Sequence, residues 1–256
     1  MKKRPIGMFD SGVGGLTVYK EIKHTFPNEK IIYLGDTKRF PYGTKTKDSI
    51  IEISKNCIEF LISQNVKLII IACGTATSLA LDTLKDLYDI PIIGIIDPTV
   101  AYIKDNNYKN IGVIATRGTI NSNAWELKLK HIIDDINVQN KACPLLAPLA
   151  EEGWTNNIIA KLTIKKYLKS FNKIDALILG CTHYPMFERL IKEELPNTTI
   201  INTGTIIASY LKDILPTNSS KQEQEDIFFL TDKEGNFIKL AEKILNKKIK
   251  INLIEI

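Results

Sequence analysis

Residues 68–78 read LIIIACGTATS, and the order of residue types in this segment indicates the fold class. An apolar run of strand length at 68–72 is followed by Cys73, a turn of small residues and a helical pattern at Ser78–Tyr88. Residues 176–185 read ALILGCTHYP and repeat this order of strand, cysteine and helix. Such units are typical of a parallel sheet in which a helix follows each strand.

The rest of the chain continues the alternation of strands and helices. Strands are predicted at Ile6–Phe9, Ile31–Leu34, Leu68–Ala72, Ile92–Ile95, Asn110–Ala115, Ala176–Leu179 and Thr199–Ile201. Helices are predicted at Leu16–His24, Lys47–Ser63, Ser78–Tyr88, Asn123–Ile133, Asn156–Phe171 and Met186–Glu194. The pattern therefore predicts an α/β fold with helices on both faces of parallel sheets.

A weak internal repeat suggests two similar halves. The sequence IGMFDSGVGG from Ile6 resembles IGVIATRGTI from Ile111, an offset of 105 residues (111 − 6). Cys73 and Cys181 are 108 residues apart (181 − 73). Nearly equal offsets predict two α/β halves that each carry a cysteine at a strand end. If the halves face one another, the two cysteines lie on opposite sides of one cleft.

Composition excludes several classes of protein. The chain has 256 residues, 44% hydrophobic and 25% charged, which is ordinary for a globular protein. Its net charge of +5 comes from scattered lysines, so we expect no nucleic-acid partner. No apolar run approaches a membrane span and no signal peptide is evident, which predicts a cytoplasmic protein. Four cysteines without a C-x-x-C pair and only three histidines argue against zinc and, in a reducing compartment, against disulfides.

Cys73 and Cys181 stand out among the four cysteines. Each follows a predicted strand and precedes a helix, where open α/β sheets bind ligands. Helix N-termini favour anions, so we expect the pKa of both thiols to be lowered toward neutrality. A single cysteine in such a place is usually a packing residue, but two in matching contexts favour a functional role. We interpret Cys57 and Cys143 as core residues.

The glycine-rich segment DSGVGGLT at 10–17 follows a strand and opens a helix. It could be a dinucleotide fingerprint with Asp36 as the ribose-binding acid, although Thr17 occupies the third glycine position. A turn that offers backbone N–H groups to a carboxylate fits at least as well. Asp10 is either a helix N-cap or a group that binds an ammonium or orients a catalytic residue.

Six blocks of sequence carry a family resemblance. They are FDSGVGGLTV, YLGDTKRFPYGTK, IIACGTATS, GVIATRGTI, CPLLAPLAEEGW and LGCTHYP. In this order and spacing they resemble the glutamate racemases of the aspartate/glutamate racemase superfamily, over the chain to about Tyr210. The resemblance implies two pseudo-symmetric flavodoxin-like domains with the active site between them. Domain one would comprise residues 1–97 and 208–256, and domain two residues 98–207.

The same resemblance implies a cofactor-independent reaction, with no metal, that interconverts L- and D-glutamate. Inversion requires proton removal on one face of the α-carbon and delivery on the other, which two thiols can supply. Cys73 would deprotonate D-glutamate with help from Asp10, and Cys181 would deprotonate L-glutamate with help from His183. The implied biological role is D-glutamate supply for bacterial peptidoglycan, and we expect a homodimer. Substrate-binding positions are matched by Asp10, Ser11, Tyr42, Gly43, Gly74, Thr75, Thr116, Thr119, Glu151, Thr182 and His183.

Two positions depart from the family pattern. Gly74 replaces an asparagine whose side chain contacts substrate, and Asp97 replaces a glutamate. An unpaired hydrogen-bonding group costs about 1–3 kcal/mol. Two alternatives stay open: a racemase for aspartate or another acidic amino acid, against which His183 after Cys181-Thr182 favours glutamate, and an amino-acid-binding regulatory protein without catalysis, which only Gly74 supports.

Overall fold

The computed structural model describes residues 4–215, 225–233 and 235–256. Its strands are β1 (Ile6–Asp10), β2 (Ile31–Gly35), β3 (Leu68–Ile71), β4 (Ile92–Gly94), β5 (Asn110–Ala115), β6 (Asn137–Ala142), β7 (Ala176–Leu179), β8 (Thr199–Asn202), β9 (Ile227–Leu230) and β10 (Ile251–Leu253). Its longer helices are α1 (Gly15–Thr25), α2 (Lys47–Ser63), α3 (Gly74–Leu87), α4 (Ile96–Asp105), α6 (Ala124–Ile132), α8 (Ile158–Leu168), α10 (Thr203–Ile214) and α11 (Phe237–Leu245). Shorter helices are α5 (Arg117–Asn121), α7 (Leu146–Glu151) and α9 (Glu188–Glu194).

These strands form two parallel sheets. The first has the order β10-β9-β2-β1-β3-β4 and the second the order β6-β5-β7-β8. The strands β1, β3, β5 and β7 occupy interior positions, and their residues are buried apart from the first residue of β5. All pairings within both sheets are parallel. The predicted α/β class with two parallel sheets is confirmed.

One apolar cluster links the two sheets. It contains buried side chains from both, such as Ile70 of β3 and Val113 of β5. Helices α4 and α10 also bridge the halves, because α4 packs on both α6 and α10, while α10 packs on α1. The predicted domain boundaries at 97/98 and 207/208 fall inside these two helices, and the division of the chain stays a prediction.

All seven predicted strands are present, with ends that differ by at most one residue. Three strands were not predicted. The edge strand β6, with sequence NVQNKA, has no fully buried residue and therefore lacks the apolar signal of an interior strand. The other two, β9 and β10, lie at one end of the first sheet, with β10 as the edge strand, and both are only partly buried.

The start of α3 matters most for the site. We predicted that this helix begins at Ser78, but it begins at Gly74, with Cys73 as its N-cap residue. The small residues of 74–77 resemble a turn in sequence, whereas their burial between the sheets makes the helix favourable. Within the described ranges, none of the helices combines the length and the apolar character that crossing a membrane requires.

Candidate active site

The two singled-out cysteines reach one cavity from different sheets. Cys73 follows β3 of the first sheet, and Cys181 follows β7 of the second. Both side chains line the same cavity of about 230 Å³, and their exposed fractions are only 5% and 7%. Because parallel strands end at the same edge, the carboxyl ends of both sheets face this cavity. The predicted meeting of the two thiols in one cleft is therefore observed.

Most of the predicted substrate-binding residues line this cavity. Those that do are Ser11, Tyr42, Gly43, Gly74, Thr75, Thr116, Thr182 and His183. The other three are buried behind the lining residues. Each forms a hydrogen bond with a residue that lines the cavity: Asp10 with Thr182, Thr119 with Thr116, and Glu151 with His183.

Asp10 fixes the glycine-rich loop and joins it to the Cys181 loop. One carboxylate oxygen accepts hydrogen bonds from the N–H groups of Gly12 and Gly15, each at 3.0 Å. The other oxygen accepts a hydrogen bond from the Thr182 hydroxyl at 3.1 Å. Asp10 thus caps the first residue of α1 and also reaches across the seam between the sheets. Burial raises the pKa of Asp10, although the charge of His183 and these hydrogen bonds oppose the rise.

Cys73 is a buried thiol with weak polar contacts. Its Sγ donates to Ser11 Oγ at 3.9 Å. Burial raises the pKa of Cys73 to about 12, and the negative charges of Asp10 and Cys181 add to the rise, while the Ala76 N–H opposes it. The expected lowering of this pKa is wrong. Burial removes water from around the sulfur, and this desolvation of the thiolate outweighs the favourable effect of the helix N-terminus.

Cys181 heads a chain of buried polar groups. Its Sγ lies 3.8 Å from Nδ1 of His183, whose Nε2 lies 2.6 Å from Glu151 Oε1. Burial lowers the pKa of His183, but hydrogen bonds to Cys181 and Glu151 and their charges outweigh it and raise the pKa well above its ordinary value. Cys181 and Glu151 thus contact different nitrogens of the His183 ring.

Three threonine hydroxyls meet at the seam. Thr75 belongs to the first sheet's half of the chain, and Thr116 and Thr119 flank the start of α5 in the second. Thr116 Oγ1 lies 2.9 Å from Thr75 Oγ1 and 3.0 Å from Thr119 Oγ1. Such clustered hydroxyls are donors that can turn toward a carboxylate.

Asp36 has a structural role. It accepts hydrogen bonds from the Tyr42 hydroxyl at 2.5 Å and the Thr231 hydroxyl at 2.8 Å, and it pairs with Arg39 at 2.8 Å. Its carboxylate is fully buried and, through the Tyr42 hydroxyl, holds in place a loop that lines the cavity. The alternative of a dinucleotide site with Asp36 as the ribose acid is therefore wrong.

Sequence reasoning missed several lining residues. These are Phe40, Pro41, Thr44, Arg117, Pro144, Ala147 and Pro148. The ring of Phe40 lies 5.8 Å from that of His183. Apart from Arg117, these residues have side chains that carry no charge, and all lie inside the blocks that carried the family resemblance. Their position in those blocks was the available signal.

Comparison with known proteins agrees with this geometry. A family model described as Asp/Glu/Hydantoin racemase matches residues 6–211. The chain belongs to this family. It is 46% identical to a protein named glutamate racemase from Sulfurihydrogenibium sp. (strain YO3AOP1), covering 98% of this chain and 97% of that one.

Solved structures of family members share the fold. The glutamate racemase of Francisella tularensis, described in complex with D-glutamate, is 37% identical with a TM-score of 0.93, covering 100% of this chain and 98% of that chain. The Escherichia coli glutamate racemase, described in complex with L-glutamate and the activator UDP-MurNAc-ala, is 26% identical with a TM-score of 0.77, covering 95% and 94%. The resemblance stated from sequence is confirmed.

Replacing Glu151 by glutamine should lower the pKa of His183, because the charge and hydrogen bond of Glu151 both raise it. The pKa can be followed by NMR of the imidazole nitrogens, since the chain has only three histidines. The exposed neighbour Glu152 provides a matched control, and Glu152→Gln should leave His183 unchanged. An unaltered His183 titration in Glu151→Gln would contradict the assigned contact.

The rate of Cys73 alkylation by iodoacetamide should rise about tenfold per pH unit through pH 7–10, because only the thiolate reacts and the folded protein holds it as a thiol. The measurement is mass spectrometry of the peptide that contains Cys73. The same protein unfolded in urea is the control, and its rate should level off above about pH 9, near the ordinary thiol pKa. A plateau at that pH in the folded protein would rule out the raised pKa.

Proposed function

We propose that this protein is a glutamate racemase that uses Cys73 and Cys181 as its two bases. The observation that carries the proposal is that one thiol from each sheet lines a single cavity. Family membership and the relatives named for glutamate support the choice of substrate. The relatives described with D-glutamate and with L-glutamate support a site that accepts both enantiomers.

The reaction moves one proton off the α-carbon and another onto it. With D-glutamate, the Cys73 thiolate takes the α-proton and becomes a thiol, and the electron pair stays on the α-carbon. The Cys181 thiol then protonates the opposite face and becomes a thiolate. The product is L-glutamate, and the reverse reaction exchanges the two roles.

The raised pKa of Cys73 has a consequence for the order of events. In the closed cavity this group is a thiol at neutral pH. A substrate ammonium is a positive charge, and an opposite charge nearby favours the ionised form of an acid. We therefore expect Cys73 to release its proton to solvent as an amino acid binds, and Asp10 to assist from behind by holding the glycine-rich loop that carries Ser11. On the other side, His183 stabilises the Cys181 thiolate and Glu151 orients His183.

The carboxylate groups need hydrogen-bond donors as negative charge develops. Backbone N–H groups near Ser11, Gly74 and Thr182 and the threonine hydroxyls are the candidates for this task. The buried and mostly uncharged walls, including Phe40, Pro144 and Pro148, exclude water from the carbanion. The resemblance further implies that the protein is cytoplasmic and supplies D-glutamate for bacterial peptidoglycan.

Racemisation in deuterium oxide tests the proposal. The product enantiomer should acquire deuterium at the α-carbon from its first turnover, while the remaining substrate keeps protium, because the two thiols act on different faces. Cys73→Ser and Cys181→Ser should each abolish racemisation, whereas Cys57→Ala should keep it because Cys57 lies in the core. Full turnover in either serine variant would refute the two-thiol assignment. Circular dichroism with a panel of amino acids separates glutamate from aspartate and from binding without turnover.

We also propose a homodimer. Helix α8 and the segment before it expose large apolar side chains, among them Trp154, Ile158 and Leu162. Such a surface is typical of a contact with another protein chain. Sedimentation equilibrium should give twice the chain mass of 28.9 kDa, and Leu162→Lys should shift the protein toward the monomer if this face forms the contact. A monomeric wild-type protein at micromolar concentration would contradict the proposal.

A further inference from the structure

Gly74 lies against the backbone of the opposite half of the molecule. A Cβ atom built on Gly74 would lie 2.1 Å from the carbonyl oxygen of Gly180 and 3.2 Å from its carbonyl carbon. Real Cβ contacts essentially never fall below 3.0 Å. Because the neighbour is backbone, no side-chain rotation can relieve the overlap, and in this arrangement only glycine fits at position 74.

The contact joins the two loops that carry the thiols. Gly74 directly follows Cys73, and Gly180 directly precedes Cys181. Gly180 is itself anchored, since its N–H donates to the Ile114 carbonyl at 2.8 Å. It also has little free space on its own side, because a Cβ there would meet Ile114 O at 3.0 Å. The Cys181 loop is therefore tied to β5 at Gly180.

Other glycines at the seam differ in one respect. A Cβ on Gly14 would overlap the side chains of His183 and Thr182 at 2.6 Å, and one on Gly43 would meet the Thr116 side chain at 2.6 Å. Side chains can turn away, at least in part. Among these glycines, Gly74 alone would place a Cβ closer than 3.0 Å to backbone of the opposite half, so relief there requires one cysteine loop, or one whole sheet, to move relative to the other.

We propose that Gly74 is a positioning residue that sets the separation of the two cysteine loops in the closed cleft. This inference rests on the proposed racemase function and extends it. Any side chain at 74, including asparagine, would require the loops to stand about 1 Å further apart (3.0 − 2.1 = 0.9 Å). The glycine at position 74 therefore does more than remove one side-chain hydrogen bond. It allows the Cys73 loop and the Cys181 loop to approach each other closely.

The test is Gly74→Ala. Gly74 is the first residue of α3, and alanine is the better helix former, so the melting temperature should not fall through loss of helix propensity. We expect kcat in both directions to fall on the order of 100-fold, since a misplacement of about 1 Å can cost that much. KM should change much less than kcat. Alkylation of Cys73 and Cys181 at fixed pH should become faster as water gains access.

Gly235→Ala is the matched control, because a Cβ at that position has nothing within 4 Å. It should leave kcat and both alkylation rates at their wild-type values. Wild-type kcat and alkylation rates in Gly74→Ala would overturn the inference. The alkylation readout does not depend on glutamate turnover, so it still tests the position of Gly74 if the wild-type protein proves not to be a glutamate racemase.

A second measurement needs no variant. In a crystal structure of the wild-type protein with bound glutamate, Gly74 Cα and Gly180 O should be in contact at about 3.5 Å, the distance typical of close Cα–H···O pairs. A gap wide enough to accept a Cβ atom would overturn the inference even if Gly74→Ala failed to fold.

Discussion

The candidate site depends on the approach of two sheet edges across one seam. The carboxyl ends of β3 and β7 point into the same cavity, and each places a cysteine beyond its last residue. A shared apolar core and the bridging helices α4 and α10 keep the sheets in this relation. Hydrogen bonds across the seam, such as Asp10 with Thr182 and Thr17 with the Thr182 carbonyl, then fix the cysteine loops locally.

Close approach of the two halves has an electrostatic consequence. It removes water from Cys73, Asp10 and His183, which are 5%, 0% and 2% exposed. Dehydration makes each isolated charge unfavourable, so the groups are stable only when they share protons or charge with neighbours. His183 has such neighbours in Cys181 and Glu151, whereas Cys73 has mainly Ser11 and the Ala76 N–H. The polar surroundings of the two thiols therefore differ, although their backbone settings are alike.

The sequence predicted the interior of both sheets because interior strands are continuous apolar runs, as in LIIIA and ALIL. It missed the edge strand β6, whose polar residues share the composition of a loop. The two cysteines were predictable because their surroundings repeat along the chain. The contact of Glu151 with His183 was not, since it joins residues 32 positions apart through tertiary packing.

Prediction of the Cys73 pKa failed for the same physical reason. The helix N-terminus is visible in the sequence, but the extent of desolvation depends on how tightly the second sheet covers the first. Gly74 is another example, because a glycine after the cysteine suggests only a missing side chain. The close contact between Gly74 and the Gly180 backbone becomes evident only when both halves of the structure are known.

In the proposed reaction, two thiols from two sheets act on one carbon atom. The most direct measurement is a crystal structure of the wild-type protein with D-glutamate bound. Cys73 Sγ and Cys181 Sγ should lie on opposite faces of the substrate α-carbon, each within about 4 Å, the range of van der Waals contact. A substrate with both sulfurs on one face, or with either sulfur out of contact, would contradict the proposed reaction.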